Sequence, residues 1–166
     1  PDSLWKIPKM VMGGGDHLYK NDNEFFKEVT TSAGIHGGLI SFGLGVSVTD
    51  INGDGWPDIF VSNDSYERDY LYINQKDGTF KDEMEQWFQH TSFSSMGADV
   101  GDINNDGYPD LFTTDMLPLN DYRLKTTGSF DNISLFTDKL KSGFYYQYTK
   151  NCLQLNNKNN KFQSQE

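Results

Sequence analysis

A nine-residue stretch rich in carboxylate and amide side chains occurs twice in the chain, at residues 50–58 and 102–110. Both copies carry Asp or Asn at positions 1, 3, 5 and 9, glycine at position 6 and a large aromatic residue at position 7. Hard cations such as Ca²⁺ bind about six to eight oxygen atoms, and a short loop supplies them when alternate side chains point inward. The pattern therefore predicts two Ca²⁺ sites, with a backbone carbonyl contributing at position 7. The predicted ligands are Asp50, Asn52, Asp54, Trp56 and Asp58 in the first loop and Asp102, Asn104, Asp106, Tyr108 and Asp110 in the second.

Two other interpretations of these loops were considered, an EF-hand and a plain turn. An EF-hand needs a bidentate Glu at position 12 and flanking helices, but position 12 is Val61 in the first copy and Thr113 in the second. The residues at 45–49 and 59–62 are β-branched and strand-like. Position 9 must then close the ligand shell in a loop that joins two strands. Asp, Asn and Gly are also common in plain turns, but identical ligand positions in two copies favour a cation site.

Charge and composition exclude several classes of function. The formal net charge is −10 and the sequence pI is about 4.6, so nucleic acid and anionic membrane surfaces are unfavourable partners. The single cysteine, Cys152, excludes an internal disulfide framework and a cysteine-based zinc site. We expect its thiol to be buried and unreactive. No apolar run approaches the length of a membrane span, so we expect no membrane insertion.

Internal repeats place the two loops in equivalent structural units. The loops begin 52 residues apart, and the Leu-Tyr-x-Asn sequence at 18–21 recurs at 71–74. A third version, Leu-Gln-Leu-Asn, occupies 153–156. One unit therefore consists of a strand, the cation loop, and three more strands separated by turns. Four short antiparallel strands at a period of about 50 residues are typical of a β-propeller blade.

The predicted architecture is all-β, with about two and a half propeller blades of four antiparallel strands each. The end of one blade is expected at 17–29, a complete blade at 44–82, and a second blade at 96–164 with an insertion at 115–150. Closed propellers need at least about four blades. We therefore expect a fragment of a larger propeller, or a chain that self-associates through its open blade edges.

The insertion at 115–150 and the ends of two strands offer candidates for a ligand-binding surface. Long insertions in compact domains are commonly functional loops, and residues 134–143 of this one have the spacing of a short helix. Alternatively, the insertion packs against its own blade as a buttress, and the aspartates at the strand ends cap turns. The candidate ligand-binding residues are Asp64, Asp115, Arg123 and Tyr145.

The loop sequences at 50–59 and 102–111 resemble FG-GAP or VCBS-type β-propeller repeats, which occur in integrin α-subunits and in many bacterial envelope proteins. Residues 61–64 followed by 71–80 look like the subgroup associated with ASPIC/UnbV proteins, and 115–156 looks like large Bacteroidetes surface proteins of that type. The resemblance implies a Ca²⁺-stabilised propeller, usually seven-bladed, in a secreted or outer-membrane-attached protein. It implies no particular activity, because propellers host many unrelated functions.

The leading hypothesis from the sequence is a non-enzymatic calcium-binding module of a secreted or cell-surface protein. Its Ca²⁺ ions are expected to stabilise the blades, and its loops to bind a protein or carbohydrate ligand. One alternative is a polysaccharide lyase or hydrolase on a propeller scaffold, in which the four candidate ligand-binding residues would converge in one pocket. A further alternative is a structural repeat inside a larger enzyme.

Overall fold

A computed structural model describes residues 15–36, 38, 42–64, 66–118, 120–127 and 133–165 of the chain. Two four-stranded antiparallel sheets make up most of it. The first sheet, which we call the first blade, has the strand order β3-β4-β5-β6. Its strands are β3 (Gly43–Thr49), β4 (Asp58–Asn63), β5 (Tyr70–Asn74) and β6 (Phe80–Asp82). Each strand pairs with the next one along the chain, because short turns connect them.

The second four-stranded sheet, which we call the second blade, has the same topology, in which each strand of the sheet pairs with the next one along the chain. A long insertion separates its second and third strands. Its strands are β8 (Gly97–Gly101), β9 (Asp110–Thr114), β11 (Cys152–Asn156) and β12 (Phe162–Gln165). The loops at 50–58 and 102–110 thus occupy the same place in both blades, between the first and second strands. Ahead of the first blade, β1 (Tyr19–Asp22) and β2 (Phe25–Glu28) form an antiparallel hairpin.

The largest hydrophobic core lies between the two blades. Phe60 and Leu71 of the first blade are almost fully buried, and Ala98 and Val100 of β8 pack against the cluster that contains them. Burying a large apolar side chain contributes about 1.5–3 kcal/mol, so this interface holds the blades together. The buried members of the cluster are Ile51, Phe60, Leu71, Ile73, Met84, Trp87, Phe88, Leu111 and Phe162.

A glycine in β3 lies at the contact between the two blades. A Cβ atom at Gly45 would lie 2.8 Å from Ser62 Oγ of β4, and at an ordinary contact distance of 3.7 Å from Gly97 and Ala98 of the second blade. Nearby, Ser47 Oγ donates a hydrogen bond of 3.4 Å to the carbonyl of Ala98. Glycine at position 45 therefore avoids a clash with Ser62 within the first blade, on the side that contacts β8.

The insertion contains two helices and a short strand, α2 (Asp121–Thr127), α3 (Ile133–Lys141) and β10 (Gln147–Tyr148). The helix expected at 134–143 is observed as α3, followed by Gly143 with a φ of 87°. β10 pairs in parallel with β7 (Thr91–Ser92), which follows the short helix α1 (Met84–Trp87). In the described part of the chain, no helix is long and apolar enough to cross a membrane.

The insertion packs on the segment that leads into the second blade. Lys139 of α3 donates a hydrogen bond of 3.1 Å to Gln147 Oε1 and lies 4.5 Å from the centroid of the Phe93 ring. Gln147 in turn donates to the carbonyl of Glu67 in the first blade. These contacts support the interpretation of this part of the insertion as a buttress. Cys152 is buried, and burial raises the pKa of its thiol to about 11, as expected for an unreactive cysteine.

Candidate metal centres

In the first loop, the side-chain oxygens of positions 1 and 3 converge on the loop's own backbone. Asp50 Oδ1 and Asn52 Oδ1 each accept a hydrogen bond of 3.0 Å from the N–H of Asp54, and Asp50 Oδ2 accepts one of 2.7 Å from Gly55. Because Asp50 Oδ1 and Asn52 Oδ1 both accept from the same backbone nitrogen, these two oxygens lie close together. Gly53 and Gly55 have φ values of 73° and 86°, a backbone region that glycine adopts without steric cost.

The second loop repeats this geometry. Asp102 Oδ1 and Asn104 Oδ1 accept hydrogen bonds of 2.9 and 3.0 Å from the N–H of Asp106, and Gly107 donates to Asp102 Oδ2 at 2.9 Å. Asn105 has a φ of 58° where the first loop has Gly53. Asparagine tolerates this left-handed region better than most residues, so the two loops have the same shape despite this difference in sequence.

The aspartates at position 5 complete an oxygen-rich rim in both loops. Asp54 Oδ1 accepts a hydrogen bond of 3.0 Å from the N–H of Trp56, and Asp106 Oδ1 accepts one of the same length from Tyr108. The Trp56 ring is 45% exposed. A role at position 7 through the backbone carbonyl would leave this ring free of coordination.

The aspartates at position 9 are fully buried and connect each loop to its blade. Asp58 Oδ2 accepts a hydrogen bond of 2.9 Å from Ile51, and Oδ1 accepts one of 2.9 Å from Asn74 at the end of β5. Asp110 makes the same pair of bonds. Burial raises the pKa of Asp58, although the backbone donors oppose that effect. The sequence-based prediction gave position 9 only the role of a metal ligand and missed this structural one.

A lysine from the turn between the third and fourth strands lies beside position 5 in both loops. Lys76 Nζ is 3.2 Å from Asp54 Oδ2, and Lys158 Nζ is 3.7 Å from Asp106 Oδ2. The two lysines occupy equivalent positions, each two residues after the asparagine that binds position 9. Neither lysine was predicted from the sequence, although each lies two residues after a repeated motif, Leu-Tyr-x-Asn or Leu-Gln-Leu-Asn, and this matching distance is a signal for both.

The donor chemistry of the loops fits Ca²⁺. Each loop brings together carboxylate and amide oxygens, which are the ligands that hard cations such as Ca²⁺ and Mg²⁺ prefer over nitrogen or sulfur. Among the residues that the structure describes, no group of three or more His, Cys, Asp or Glu side chains is arranged to hold a metal ion. The loop oxygens instead accept hydrogen bonds from backbone amides, and Asn52 and Asn104 supply one of the side-chain oxygens in each loop.

None of the four described cavities is lined by all four candidate ligand-binding residues. Asp115 accepts hydrogen bonds from the side chain of Ser92 and the N–H of Ser94, and Asp64 forms a β-bridge with Ser94. Both aspartates therefore lie beside the segment that leads into the second blade. Asp115 belongs to a hydrogen-bonded network there, and not to the exposed turn cap that was the alternative interpretation.

Tyr145 and Arg123 lie elsewhere in the insertion. Tyr145 donates a hydrogen bond to the carbonyl of Phe88 and lines two cavities, of about 220 and about 410 Å³. Arg123 lies on the exposed helix α2, and neither it nor the two aspartates line these cavities. The convergence expected for a lyase or hydrolase is therefore not found at these two cavities.

The repeated blades and loops agree with the comparison to known protein families. Residues 50–113 match the family model described as the FG-GAP-like repeat. This segment of the chain belongs to the FG-GAP repeat family. FG-GAP repeats form β-propeller blades, so the two four-stranded sheets are propeller blades and the predicted all-β propeller fold is confirmed.

Curated relatives of this chain include integrin α-chains. Integrin alpha-6 of Gallus gallus is 42% identical over 82 residues, which cover 43% of this chain and 8% of that protein. Integrin alpha-3 of Mus musculus is 35% identical over 81 residues, and integrin alpha-PS5 of Drosophila melanogaster is 39% identical over 80 residues; each match covers 42% of this chain and 8% of the relative. The chain thus spans less than a tenth of the length of these relatives. The resemblance to the ASPIC/UnbV group stays a prediction.

Proposed function

We propose that this chain is a calcium-binding β-propeller module of a secreted or cell-surface protein. The observation that carries the proposal is the repetition of one oxygen-rich loop, with the same side-chain geometry, at the same junction of two successive blades. Two plain turns would not need the same side chains at positions 1, 3, 5 and 9. The similarity of the chain to integrin α-chains supports a location outside the cell.

Calcium has a structural role in this proposal. The ion would be held by the side chains at positions 1, 3, 5 and 9 and the carbonyl at position 7, namely Asp50, Asn52, Asp54, Asp58 and Trp56 in the first loop and Asp102, Asn104, Asp106, Asp110 and Tyr108 in the second. A bound cation supplies positive charge that offsets three carboxylates in each nine-residue loop. Because each loop connects the first two strands of its blade, ordering the loop stabilises the strand pair.

The module would act by binding a protein or carbohydrate ligand, as an adhesion-related part of a longer protein. The similarity to integrin α-chains supports adhesion, and the cavities formed by the insertion provide concave surfaces for a partner. We assign 17–29 to the end of one blade, and 44–82 and 96–164 to the next two, with the insertion at 115–150.

The open face of the second blade supports association with a further blade, from the same propeller or from another copy of the chain. Phe112 is 39% exposed and Ile103 is 57% exposed, whereas the equivalent residues of the first blade, Phe60 and Ile51, are buried under the second blade. A further blade placed there would cover these two side chains in the same way.

Terbium luminescence tests the calcium sites directly, because Trp56 lies at position 7 of the first loop and can transfer excitation energy to a bound lanthanide. We expect Tb³⁺ emission on tryptophan excitation, with loss of the signal when CaCl₂ displaces Tb³⁺. Asp54→Asn should weaken this signal, whereas Asp22→Asn, which removes an equal charge from an exposed strand, should leave it unchanged. Emission that resists Ca²⁺, or that is equal in both variants, would contradict the proposal.

A further inference from the structure

A cavity of about 410 Å³ lies between the first blade and the end of the insertion. Sites for small ligands typically have volumes of about 300–1,000 Å³, so this cavity is large enough to admit a side chain or a small molecule. None of its lining residues belongs to the calcium loops. Those residues are Gly34, His36, Glu67, Arg68, Tyr70, Tyr72, Asp82, Glu85, Gly143, Phe144 and Tyr145.

Glu67 is a buried carboxylate in the wall of this cavity. Its side chain has no exposed surface. Oε2 accepts a hydrogen bond of 2.5 Å from the hydroxyl of Tyr70, but Oε1 has no hydrogen-bond partner among the described residues. An ionised oxygen that is buried without a partner is strongly unfavourable. A donor that enters the cavity and displaces the wall beside Oε1 would satisfy this oxygen.

The arginine in the cavity wall does not neutralise Glu67, because its ion pairs are with other carboxylates. Arg68 binds Asp82 at 2.7 Å and Glu85 at 3.1 Å, and its guanidinium lies 5.2 Å from the centroid of the Tyr70 ring. Three carboxylates and one guanidinium line the cavity, which leaves a formal charge of −2 when His36 is neutral. The cavity thus combines aromatic walls with an excess of negative charge.

Two other titratable groups interact with Glu67. His36 Nε2, in the cavity wall, is 3.7 Å from Glu67 Oε1, which is longer than a hydrogen bond. Asp16, which does not line the cavity, is a second carboxylate with a buried oxygen that lacks a hydrogen-bond partner in the described part of the chain. Burial raises the pKa of Asp16, and the charge of Glu67 raises it further. A cation beside Glu67 would offset this repulsion.

We propose that this cavity binds an alkylammonium group, such as the end of a lysine side chain of a partner protein. Glu67 Oε1 accepts a hydrogen bond from the ammonium, and the rings of Phe144 and Tyr145, two residues that are only partly buried, supply aromatic surface for the alkyl chain and the charge. Tyr70 already occupies Oε2, so the two-pronged contact that a guanidinium prefers is not available. This inference extends the proposed function by naming the chemistry of a partner.

A titration with two probes of similar shape tests the proposal in the unmodified chain. n-Butylammonium and n-butanol are each added to the ¹⁵N-labelled protein in excess CaCl₂, and the backbone amide shifts are followed. We expect butylammonium to shift the amides around Glu67 and to bind at least about tenfold more tightly than butanol, since a charge-assisted hydrogen bond is worth roughly that factor. Equal affinities would overturn the proposal.

A pair of charge-matched variants locates the site. Glu67→Gln keeps an oxygen for the Tyr70 hydroxyl but removes the charge, and we expect it to weaken butylammonium binding by about tenfold or more. Glu24→Gln removes the same charge from the exposed turn between β1 and β2 and should leave binding unchanged. Equal affinity in both variants would overturn the assignment to Glu67. If Glu67→Gln does not fold, the comparison of the two probes decides alone.

Two further experiments identify the source of the amine and test whether its binding depends on calcium. A capped Ala-Lys-Ala peptide that binds at least as tightly as butylammonium supports a protein partner, whereas a weaker peptide overturns that source. Repeating the titration in EDTA separates this proposal from the calcium sites. Butylammonium binding without any response to Ca²⁺ would contradict the proposed function alone, and a Ca²⁺ response without butylammonium binding would contradict this inference alone.

Discussion

The carboxylate of Asp58 accepts a hydrogen bond of 2.9 Å from the backbone N–H of Asn74, which joins the end of the loop at 50–58 to the third strand of its blade. The same bond links Asp110 to Asn156 in the second blade, also at 2.9 Å. Each asparagine also donates from its side chain to the proline before the aspartate. The last residue of each loop therefore stabilises the blade whether or not a metal ion is bound.

Replacing Asp58 should destabilise the protein even in the absence of calcium. In Asp58→Asn, one carboxylate oxygen becomes an amide group that faces the N–H of Ile51 or Asn74 and cannot accept its hydrogen bond. Leaving a buried donor unpaired costs about 1–3 kcal/mol. We expect a loss of this size in the free energy of unfolding, measured by urea denaturation in EDTA.

Asp54→Asn is the matched control, because Asp54 has the same chemistry but is partly exposed, accepts hydrogen bonds within its own loop and pairs with the exposed Lys76. In EDTA, Asp54→Asn should lose clearly less unfolding free energy than Asp58→Asn. The difference in unfolding free energy between Asp54→Asn and the parent should widen when CaCl₂ is added. An equal loss for both variants in EDTA would show that the bond between Asp58 and Asn74 has no structural role of its own.

The two loops and the repeat could be predicted from the sequence because their signals are local. The segment 44–82, expected to form a complete four-stranded blade, has its strands at Gly43–Thr49, Asp58–Asn63, Tyr70–Asn74 and Phe80–Asp82. The Asp-rich loop and the Leu-Tyr-x-Asn sequence recur at fixed distances, and this recurrence sets the order and the register of the strands.

Features that depend on contacts distant in sequence could not be predicted. The parallel pairing of β7 with β10 joins segments more than fifty residues apart, and neither segment has a strand pattern of its own. The burial of Asp58 and Glu67 was also missed, because carboxylates are usually exposed and only tertiary packing covers these two. The helix α2 has no clear apolar face, and it is exposed in the structure.

Asp69 should make stability depend on pH. It is buried and accepts hydrogen bonds from the N–H of Asn63 and from Ser95 Oγ, yet burial raises its pKa to about 7. The folded chain therefore holds a proton on Asp69 between about pH 4 and 7 that the unfolded chain has lost. The contribution of Asp69 to stability is largest below about pH 4 and is lost as the pH rises through about 7.

Asp69→Asn should remove this contribution to the pH dependence. The second blade shows that the change is compatible with the fold, because Asn151 occupies the equivalent position and accepts a hydrogen bond of 2.7 Å from the N–H of Asp115. We expect the variant to gain stability relative to the parent between about pH 5 and pH 8 in urea denaturation. If the difference in unfolding free energy between the variant and the parent stays constant across this pH range, the prediction is contradicted.

Lys76 should weaken the affinity of the first loop for calcium, if the proposed function is correct. Its ammonium lies 3.2 Å from Asp54 Oδ2, where it competes with a cation for the same carboxylate. Pairs this exposed are weak because solvent screens them, so Lys76→Gln should tighten Ca²⁺ binding modestly, by up to about fivefold in calorimetry at low salt. Lys27→Gln on β2 is the control for net charge, and equal affinities in the two variants would contradict this role for Lys76.

Phe60 should contribute far more to stability than its repeat equivalent, Phe112. Phe60 is 1% exposed in the interface between the blades, whereas Phe112 lies on the open face of the second blade. We expect Phe60→Ala to cost about 3–5 kcal/mol of unfolding free energy, and Phe112→Ala clearly less, in parallel urea denaturations. Similar losses would show that a further blade or a second copy covers Phe112 in solution, and analytical ultracentrifugation would identify a second copy.

Thermal unfolding in EDTA, in a few millimolar CaCl₂ and in the same concentration of MgCl₂ tests the central claim most directly. Ligand that binds only the folded state stabilises by about 2.7 kcal/mol per site at a hundredfold excess over the dissociation constant. We predict a higher melting temperature in CaCl₂ than in EDTA or MgCl₂, and a smaller rise in a variant that carries both Asp54→Asn and Asp106→Asn. The same melting temperature in all three solutions would mean that the paired loops are ordinary turns, and it would contradict the account of this chain as a calcium-stabilised propeller module.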